Sequence, residues 1–155
     1  MGSYVLSIRR ATRDDIGWLV KHRIEMFRSM GHTNEELEAL KPVVIRFLNA
    51  SWDDSLVCFL AVEDERVVGG CAVTLYKVMP GPRNPSGNVL YAHNMYVEPE
   101  NRGKGVGSAL LQKIIGFART VGAQRIELHA TQMGQGVYER AGFIKTENHY
   151  ALRIE

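Results

Sequence analysis

The sequence predicts an α/β fold in which a mixed β-sheet carries helices on both of its faces. Segments with apolar residues at helical spacing alternate along the chain with shorter, strand-like apolar runs. Two of these runs are joined only by the charged turn Glu63–Arg66, which predicts an antiparallel hairpin within the sheet. The predicted order is β-α-α-β-β-β-α-β-α-β, the last element being one strand or a pair. At 155 residues, we expect one domain over residues 1–155.

The N-terminal segment predicts a strand followed by a helix. Tyr4–Arg10 alternates well enough for a strand, and Thr12–Asp15 reads as a variant of the capping box that opens helices. Gly31 stands where it would end the helix. The apolar stripe between these signals consists of Ile16, Leu19, Val20, Ile24 and Phe27.

A second capping box, Thr33–Glu36, predicts the next helix. Pro42 falls inside that helix. Because proline removes a backbone donor and clashes with the preceding turn, we expect a kink or the start of a new helix there. The apolar positions of this segment are Leu37, Leu40, Val44, Phe47 and Leu48.

The central part of the chain predicts the hairpin and a loop. Leu56–Val62 and Val67–Tyr76 are its two strands, and the pair Gly69-Gly70 predicts a β-bulge. Residues 79–87 contain three prolines and show no periodicity, which predicts an irregular loop.

The C-terminal half begins with an apolar and aromatic run at 89–97, predicted to be a strand. After a glycine-rich loop comes an amphipathic helix, whose apolar residues are Val106, Leu110, Ile114, Phe117 and Val121. Arg125–Ala130 predicts another strand, and a short helix is expected between Gly134 and Gly142. The final strand or strand pair is expected at Phe143–Ile154.

Composition excludes several classes of function. The formal net charge is only +2 and the basic residues are scattered, so a nucleic-acid partner is not expected. There is no signal-peptide pattern, and the longest apolar run, Leu56–Val62, is too short to span a bilayer. Cys58 and Cys71 lack metal-ligand spacing, so we expect no metal and two buried, reduced thiols. These features together predict a cytoplasmic protein with no membrane partner.

The glycine-rich loop Arg102–Ser108 joins a predicted strand to a predicted helix. The first N–H groups of a helix are unpaired and lie at its positive end, so such a loop can bind phosphate. A Walker loop is excluded because Lys104 precedes the last glycines instead of following them. A dinucleotide fingerprint is excluded because Leu110 occupies the position of its third glycine. The remaining pattern is Arg-x-x-Gly-x-Gly.

This pattern resembles the pyrophosphate loop of the GCN5-related N-acetyltransferase (GNAT) superfamily. The loop follows the sequence MYVEPENRGKGVG, and the later segment VYERAGF resembles the tyrosine-bearing C-terminal segment of that superfamily. The order of elements from Ser7 to Ile154 also fits, so the resemblance covers nearly the whole chain. It implies a GNAT-like sheet that splays open between the strands at 89–97 and 125–130.

The resemblance also implies acetyl-CoA as the cofactor. Its pantetheine arm would enter the splay, where backbone groups of Met95, Tyr96 and Val97 would pair with it and polarise the thioester carbonyl. The loop residues implied in cofactor binding are Arg102, Gly103, Lys104, Gly105, Val106, Gly107 and Ser108. Many members carry an asparagine before the tyrosine of the C-terminal segment; the stretch 131–136 has none, so we transfer no such role.

Tyr138 matches the usual general acid of the superfamily, which protonates the leaving thiolate. A tyrosine that merely packs against the helix is the alternative. His93 matches a strand histidine of arylalkylamine-type members and is the candidate general base, since histidine titrates near neutral pH. Tyr91, Glu98 and a chain of waters remain competing candidates. His129 is interpreted as structural, and the sequence indicates only a solvated surface or loop for His22, His32 and His149.

The predicted function is acetyl-CoA-dependent N-acetylation of a primary amine, by direct transfer in a ternary complex. The family topology places the turn Phe27–Thr33 and the loop at 79–87 around the entrance for the amine. We expect a small-molecule acceptor in a pocket lined by Phe27, Met30 and Tyr91. The alternatives are a protein or peptide acceptor, or a non-catalytic module that senses acyl-CoA. The oligomeric state is open, a homodimer being one alternative.

Overall fold

The computed structural model describes residues 5–130, 134–146 and 148–154. Within these ranges the chain forms a five-stranded sheet in the order β1-β2-β3-β4-β5. The first four strands are antiparallel to their neighbours and β5 runs parallel to β4. The predicted mixed sheet is therefore confirmed. Its strands are β1 Leu6–Arg10, β2 Leu56–Glu63, β3 Arg66–Lys77, β4 Asn88–Val97 and β5 Arg125–Leu128.

Helices cover both faces of this sheet, as predicted. Neighbouring residues of β2 point to opposite faces, so Phe59 packs with α3 whereas Leu60 packs with α1 and α2. Two buried clusters result, one on each side of the sheet. The helices are α1 Ile16–Ser29, α2 Asn34–Ser51, α3 Val106–Thr120 and α4 Gln135–Arg140.

Local signals in the sequence account for the starts of α1 and α2. Both predicted capping boxes form, the first between Thr12 and Asp15 and the second between Thr33 and Glu36. The Thr12 box opens a short 3₁₀ turn that leads directly into α1. Asp15 also accepts a hydrogen bond from Arg9 at 2.8 Å, and this contact lowers the pKa of the carboxyl to about 2.

The expectation of a second helix starting at Pro42 is wrong, because α2 runs unbroken from Asn34 to Ser51. Pro42 is exposed, and so is Glu38, one turn earlier. The Glu38 carbonyl, which loses its partner at Pro42, can therefore bind water. Water therefore offsets much of the free-energy cost of a proline inside a helix, and that cost was the basis for predicting a new helix at Pro42.

The final strand expected at Phe143–Ile154 is also wrong. The described parts of this range, 143–146 and 148–154, form no strand. The side chains of Tyr150, Leu152 and Ile154 are exposed and belong to neither buried cluster. A strand is stabilised by a partner edge and a covered face, and the described part of this segment has neither.

A β-bulge lies in the middle of β4. Gly70 pairs with Tyr96 and Ala72 pairs with His93, so Asn94 and Met95 together face the single residue between them on β3. Asn94 has φ +61°, a left-handed conformation that asparagine tolerates better than most residues. The bulge predicted near Gly69-Gly70 is also present, because Ala61 and Val62 of β2 pair with Gly69 and Val67 and leave Val68 as an extra residue on β3.

The bulge places two consecutive residues on one face of the sheet. The Asn94 side-chain amide donates to the Leu19 carbonyl of α1 at 3.0 Å. The His93 ring lies 6.4 Å from the Phe47 ring of α2. In a regular strand these neighbours would point to opposite faces. The face covered by α1 and α2 therefore receives both side chains.

Candidate functional site

The sheet splays open between β4 and β5. The two strands pair only from Val89 to Ala92 on β4, opposite Arg125 to Leu128 on β5. β4 then continues to Val97, and within the described residues no strand pairs with this last part on the β5 side. The backbone groups of residues 93–97 can therefore accept an extended ligand. The splay expected between these two strands is confirmed.

The glycine-rich loop follows the open part of β4 after a short 3₁₀ turn, Pro99–Asn101. Gly103 and Gly105 have φ +77° and +85°, and a Cβ added at either would meet no atom within 4 Å. The backbone is thus left-handed and open at both positions, as close approach by a ligand requires.

Gly105 is also the N-cap of α3. The N–H of Ala109 donates to the Gly105 carbonyl at 3.0 Å and makes the first bond of the helix. The N–H groups of residues 106–108 precede that bond and remain available to a ligand. Together with the helix dipole, they form a site suited to phosphate.

Arg102 fixes the loop to the end of β4. Its Nε–H donates to the Val97 carbonyl at 2.9 Å, and its guanidinium lies 5.7 Å from the Tyr96 ring. Lys104, in contrast, is exposed. Arg102 is therefore in place to hold the loop in register with β4, and Lys104 is free to reach a bound anion.

The side chains of Met95, Tyr96 and Val97 pack inside the protein. Met95 and Val97 lie against the α3 cluster, whereas Tyr96 stacks on His22 with ring centroids 4.9 Å apart. On the open edge of β4, the backbone of this segment is therefore the part that remains accessible to a ligand.

Tyr138 lies on α4 and packs against the α3 face of the sheet. Its neighbour Val137 is close to the loop, because a Cβ at Gly107 would lie 4.0 Å from both Val137 and Val97. Burial and the nearby Cys71 thiol raise the pKa of Tyr138, so its hydroxyl keeps its proton at neutral pH. The stretch that lacks the family asparagine includes 131–133, which lie outside the described residues.

His93 lies on the opposite face of the sheet, among polar and aromatic side chains. Its Nε2 is 2.9 Å from the Thr74 hydroxyl of β3, and its ring is 5.9 Å from the Tyr91 ring. Burial and the positive charge of Arg23 lower the pKa of His93 to about 4. The imidazole is therefore neutral at pH 7.

The residues predicted to line the acceptor pocket are only partly brought together. Tyr91 lies beside His93, and its hydroxyl contacts Nδ1 of His129. Phe27 stacks edge-on against His32 and lies under the guanidinium of Arg23. Met30 is the C-cap of α1 and is 55% exposed.

The proline-rich loop reaches the start of β4 and β5. The N–H of Ser86 donates to the Gln124 side chain at 2.9 Å. An open groove of about 480 Å³ lies between the loop and the strands, lined by Val78, Met79, Gly81, Pro82, Arg83, Asn84, Val89, Arg125 and Glu127. The groove is at the paired end of β4, whereas the glycine-rich loop follows its open end.

His22 is the largest departure from the sequence interpretation, which gave it a solvated position. His22 is completely buried. It packs so closely against Gly70 that a Cβ added there would lie only 3.0 Å from the His22 Nδ1, and the Tyr96 ring stacks on its ring. Its Nε2 is 3.9 Å from the Glu98 carboxylate. Burial, with a smaller contribution from Lys21, lowers the pKa of His22 to about 4. The sequence signal that could have predicted its burial was its position three residues after Leu19, on the same side of the helix.

The two cysteines are buried and free, as expected. Burial raises the pKa of Cys58 to about 12 and raises that of Cys71 as well. Neither forms the thiolate that a covalent relay needs.

In the part of the chain that the structure describes, no group of acidic, histidine and cysteine side chains could hold a metal. The helices described there are also too short or too polar to cross a bilayer.

Comparisons with known proteins agree on one family. The model of the acetyltransferase (GNAT) family matches residues 21–143. An uncharacterised N-acetyltransferase of Methanocaldococcus jannaschii is 36% identical over 62 residues, which is 38% of this chain and 27% of that protein. The match therefore spans only about a quarter of that relative.

Two solved structures share almost the whole fold. A predicted acetyltransferase of Clostridium acetobutylicum, crystallised with acetyl-CoA, is 26% identical, with a TM-score of 0.87 and 96% of each chain covered. A GCN5-related N-acetyltransferase of Ralstonia eutropha is 28% identical, also with a TM-score of 0.87, over 97% of this chain and 99% of that one.

Proposed function

Because the chain belongs to the acetyltransferase (GNAT) family, we propose that it transfers the acetyl group of acetyl-CoA to the primary amine of a small molecule. The whole chain would act as one domain, and the transfer would be direct, within a ternary complex. The observation that carries the proposal is the open edge of β4, which leads straight into the glycine-rich loop. The buried cysteines support direct transfer, since neither can serve as a nucleophile at neutral pH.

The residues around the splay fit acetyl-CoA. The N–H groups of residues 103–108 would bind its pyrophosphate, and the open backbone and left-handed glycines leave room for that contact. The backbone of residues 95–97 would hold the pantetheine arm along β4. Bound acetyl-CoA supplies an acetyl group activated as a thioester. The relative crystallised with acetyl-CoA supports this assignment.

Tyr138 would supply the proton that the departing sulfur needs. Its hydroxyl stays protonated at pH 7 because burial raises its pKa. A phenol can donate to a thiolate without a further large shift, since ordinary thiols and phenols differ by only about 1.5 pKa units. Its neighbour Val137 packs near the N-terminus of α3, which supports a position close to the loop.

His93 would accept the proton of the amine. In the tautomer in which Nε2–H donates to the Thr74 hydroxyl, Nδ1 is left to accept that proton. The low pKa keeps the imidazole unprotonated at neutral pH, so no proton must first be removed. The same low pKa makes His93 a weaker base than the optimum near pH 7.

We expect His93→Gln to lower kcat/KM at neutral pH by about 10²-fold, the low end of the usual effect of a positioned base. Glutamine can still hydrogen-bond Thr74, so the fold should persist. The parent should lose activity as the pH falls through about 4, where His93 gains its proton, and the variant should lack this limb. The measurement is kcat/KM between pH 3.5 and 8, with circular dichroism at each pH.

His149→Gln is the matched control, because His149 is exposed and the predicted site does not include it. It should change neither the rate nor the pH profile. If His93→Gln instead matches the parent at pH 7 and keeps the acid limb, His93 is not the base. Tyr91, Glu98 or water would then be the remaining candidates.

The experiment that tests the function mixes the protein and acetyl-CoA with a panel of amines. The panel contains alkylamines, polyamines, amino acids, amino sugars and aminoglycosides, with histone-like and ribosomal peptides alongside. Free thiol is followed continuously, and mass spectrometry identifies the acetylated product. We expect acetylation of at least one small amine. Turnover of peptides alone would contradict the acceptor class, and coenzyme A binding without any turnover would contradict catalysis.

A further inference from the structure

Arg23 is a cation on the sheet-facing side of α1 that has no carboxylate partner among the described residues. Leu19 and His22, on the same side of this helix, contact Asn94 and Tyr96 of β4. The other basic residues of α1 behave differently. Lys21 pairs with Glu98 and Arg28 pairs with Glu25, each at 3.4 Å. Arg23 instead lies over the Phe27 ring, with its guanidinium carbon 4.8 Å from the ring centroid.

The surroundings of Arg23 contain aromatic and neutral polar groups. Its charge acts on both His93 and Tyr91 of β4, and burial lowers its own pKa. On the β5 side, Glu127 is engaged elsewhere, because it accepts from the Tyr76 hydroxyl at 2.6 Å. A guanidinium that is partly withdrawn from water without an anion is costly. Such a site gains free energy when an anion arrives.

The wall beside His93 is apolar and open. Phe47, one of the apolar positions of α2, is 44% exposed, and its ring lies 6.4 Å from that of His93. A ligand with an apolar body could cover this ring and remove it from water. The face of the sheet that carries His93 therefore offers a cation, an apolar surface and a neutral imidazole close together.

We propose that Arg23 binds an oxyanion of the acceptor, so that the substrate is a primary amine that also carries a carboxylate or a phosphate. The inference rests on the proposed function and narrows its substrate class. The planar fork of the guanidinium matches either anion through two parallel hydrogen bonds. The body of the acceptor would lie against Phe47, and its amine would face His93.

The first test compares amines in matched pairs that differ only in the anion. Phenylalanine is paired with 2-phenylethylamine, and glucosamine 6-phosphate with glucosamine, so the pairs also separate carboxylate from phosphate. We expect the parent to prefer a member that carries the anion. Arg23→Met should raise the KM of that member by about 30-fold or more, with little change for the partner that lacks the anion. Arg13→Met, at an exposed cation in the 3₁₀ turn that precedes α1, should change neither.

Equal losses for both members of a pair in Arg23→Met would overturn the proposal, because they would mean that Arg23 acts on His93 and not on the substrate. The proposal would also be overturned if the parent prefers the amines that lack the carboxylate or phosphate. Circular dichroism confirms that each variant is folded before its kinetics are compared.

The second test is independent of catalysis. The protein is titrated with 3-phenylpropanoate and with phenyl phosphate, which have an anion and an apolar body but no amine. The imidazole resonances of His93 are followed by NMR. We expect saturable shifts in the parent that disappear in Arg23→Met. The absence of saturable binding in the parent would refute the anion site even if amines are acetylated. Anion binding without any acetylation would retain the site and refute the proposed function.

Discussion

Gly105→Asp is expected to lower the affinity for coenzyme A by at least about 100-fold, or roughly 2.7 kcal/mol, while the protein stays folded. Gly105 is the N-cap of α3, at φ +85°, with open space where a Cβ would be. An aspartate there would place a carboxylate among the N–H groups that we assign to the pyrophosphate. Two anions would then compete for one positive helix end.

Gly105→Asn separates charge from shape, because asparagine has almost the same size and tolerates a left-handed backbone. It should bind coenzyme A far more tightly than the aspartate variant. Gly107→Asp is a second probe without backbone strain, since Gly107 has no positive φ. Calorimetric titration measures the affinities, and thermal melts check folding. Equal affinities for the folded aspartate and asparagine variants would place the pyrophosphate elsewhere.

Tyr138→Phe is expected to lower kcat by about 10² to 10⁴, the usual range for a positioned acid. The ring and its packing against Phe143 are kept, so stability should change little. Because burial raises the pKa of Tyr138, the parent should keep its proton and its rate from pH 7 to 9. The measurement is thiol release at saturating acetyl-CoA across this range.

Tyr150→Phe is the control for loss of a tyrosine hydroxyl, since Tyr150 is exposed. Its kcat should equal that of the parent. Should Tyr138→Phe also keep the parental kcat at every pH, then Tyr138 is a packing residue and water protonates the thiolate.

The parts of the fold that could be predicted from sequence are those with local causes. A capping box depends on residues three positions apart, so Thr12–Asp15 and Thr33–Glu36 could both be recognised. The hairpin across Glu63–Arg66 and the amphipathic pattern of α3 are equally local. The glycine-rich loop belongs to this group, because its neighbours in sequence form the strand and the helix that define it.

The features that were predicted wrongly depend on the surroundings of a residue in three dimensions. Pro42 stays within α2 because its side of the helix is exposed, which helical spacing does not reveal with certainty. His22 is buried because Gly70 and Tyr96 come together around it from two strands. The segment at 143–154 has no partner strand among the described residues, and a partner strand is a feature that local sequence does not reveal.

The candidate site shows the same division. The position of the loop between a strand and a helix could be predicted from its sequence, whereas the contact of His93 with Thr74 joins residues 19 positions apart. Only the fold distinguishes Arg23, because Lys21 and Arg28 have carboxylate partners and Arg23 has none among the described residues. The sequence alone does not show which of Lys21, Arg23 and Arg28 has a carboxylate partner.

The bulge at Asn94 makes one position of β4 different from the others in how the strand can change in length. Deleting Asn94 would leave Met95 opposite Cys71 in a regular ladder, with the side chains of residues 95–97 still on their present faces. The lost contact would be the one from the Asn94 amide to the Leu19 carbonyl, which ties β4 to α1. Removing one residue from a regular part of the strand would instead turn the side chains on one side of the gap to the opposite face. In alignments with distant relatives, a one-residue gap at position 94 is therefore compatible with the same open edge and the same contact of Tyr96 with His22, whereas a gap elsewhere in β4 is not.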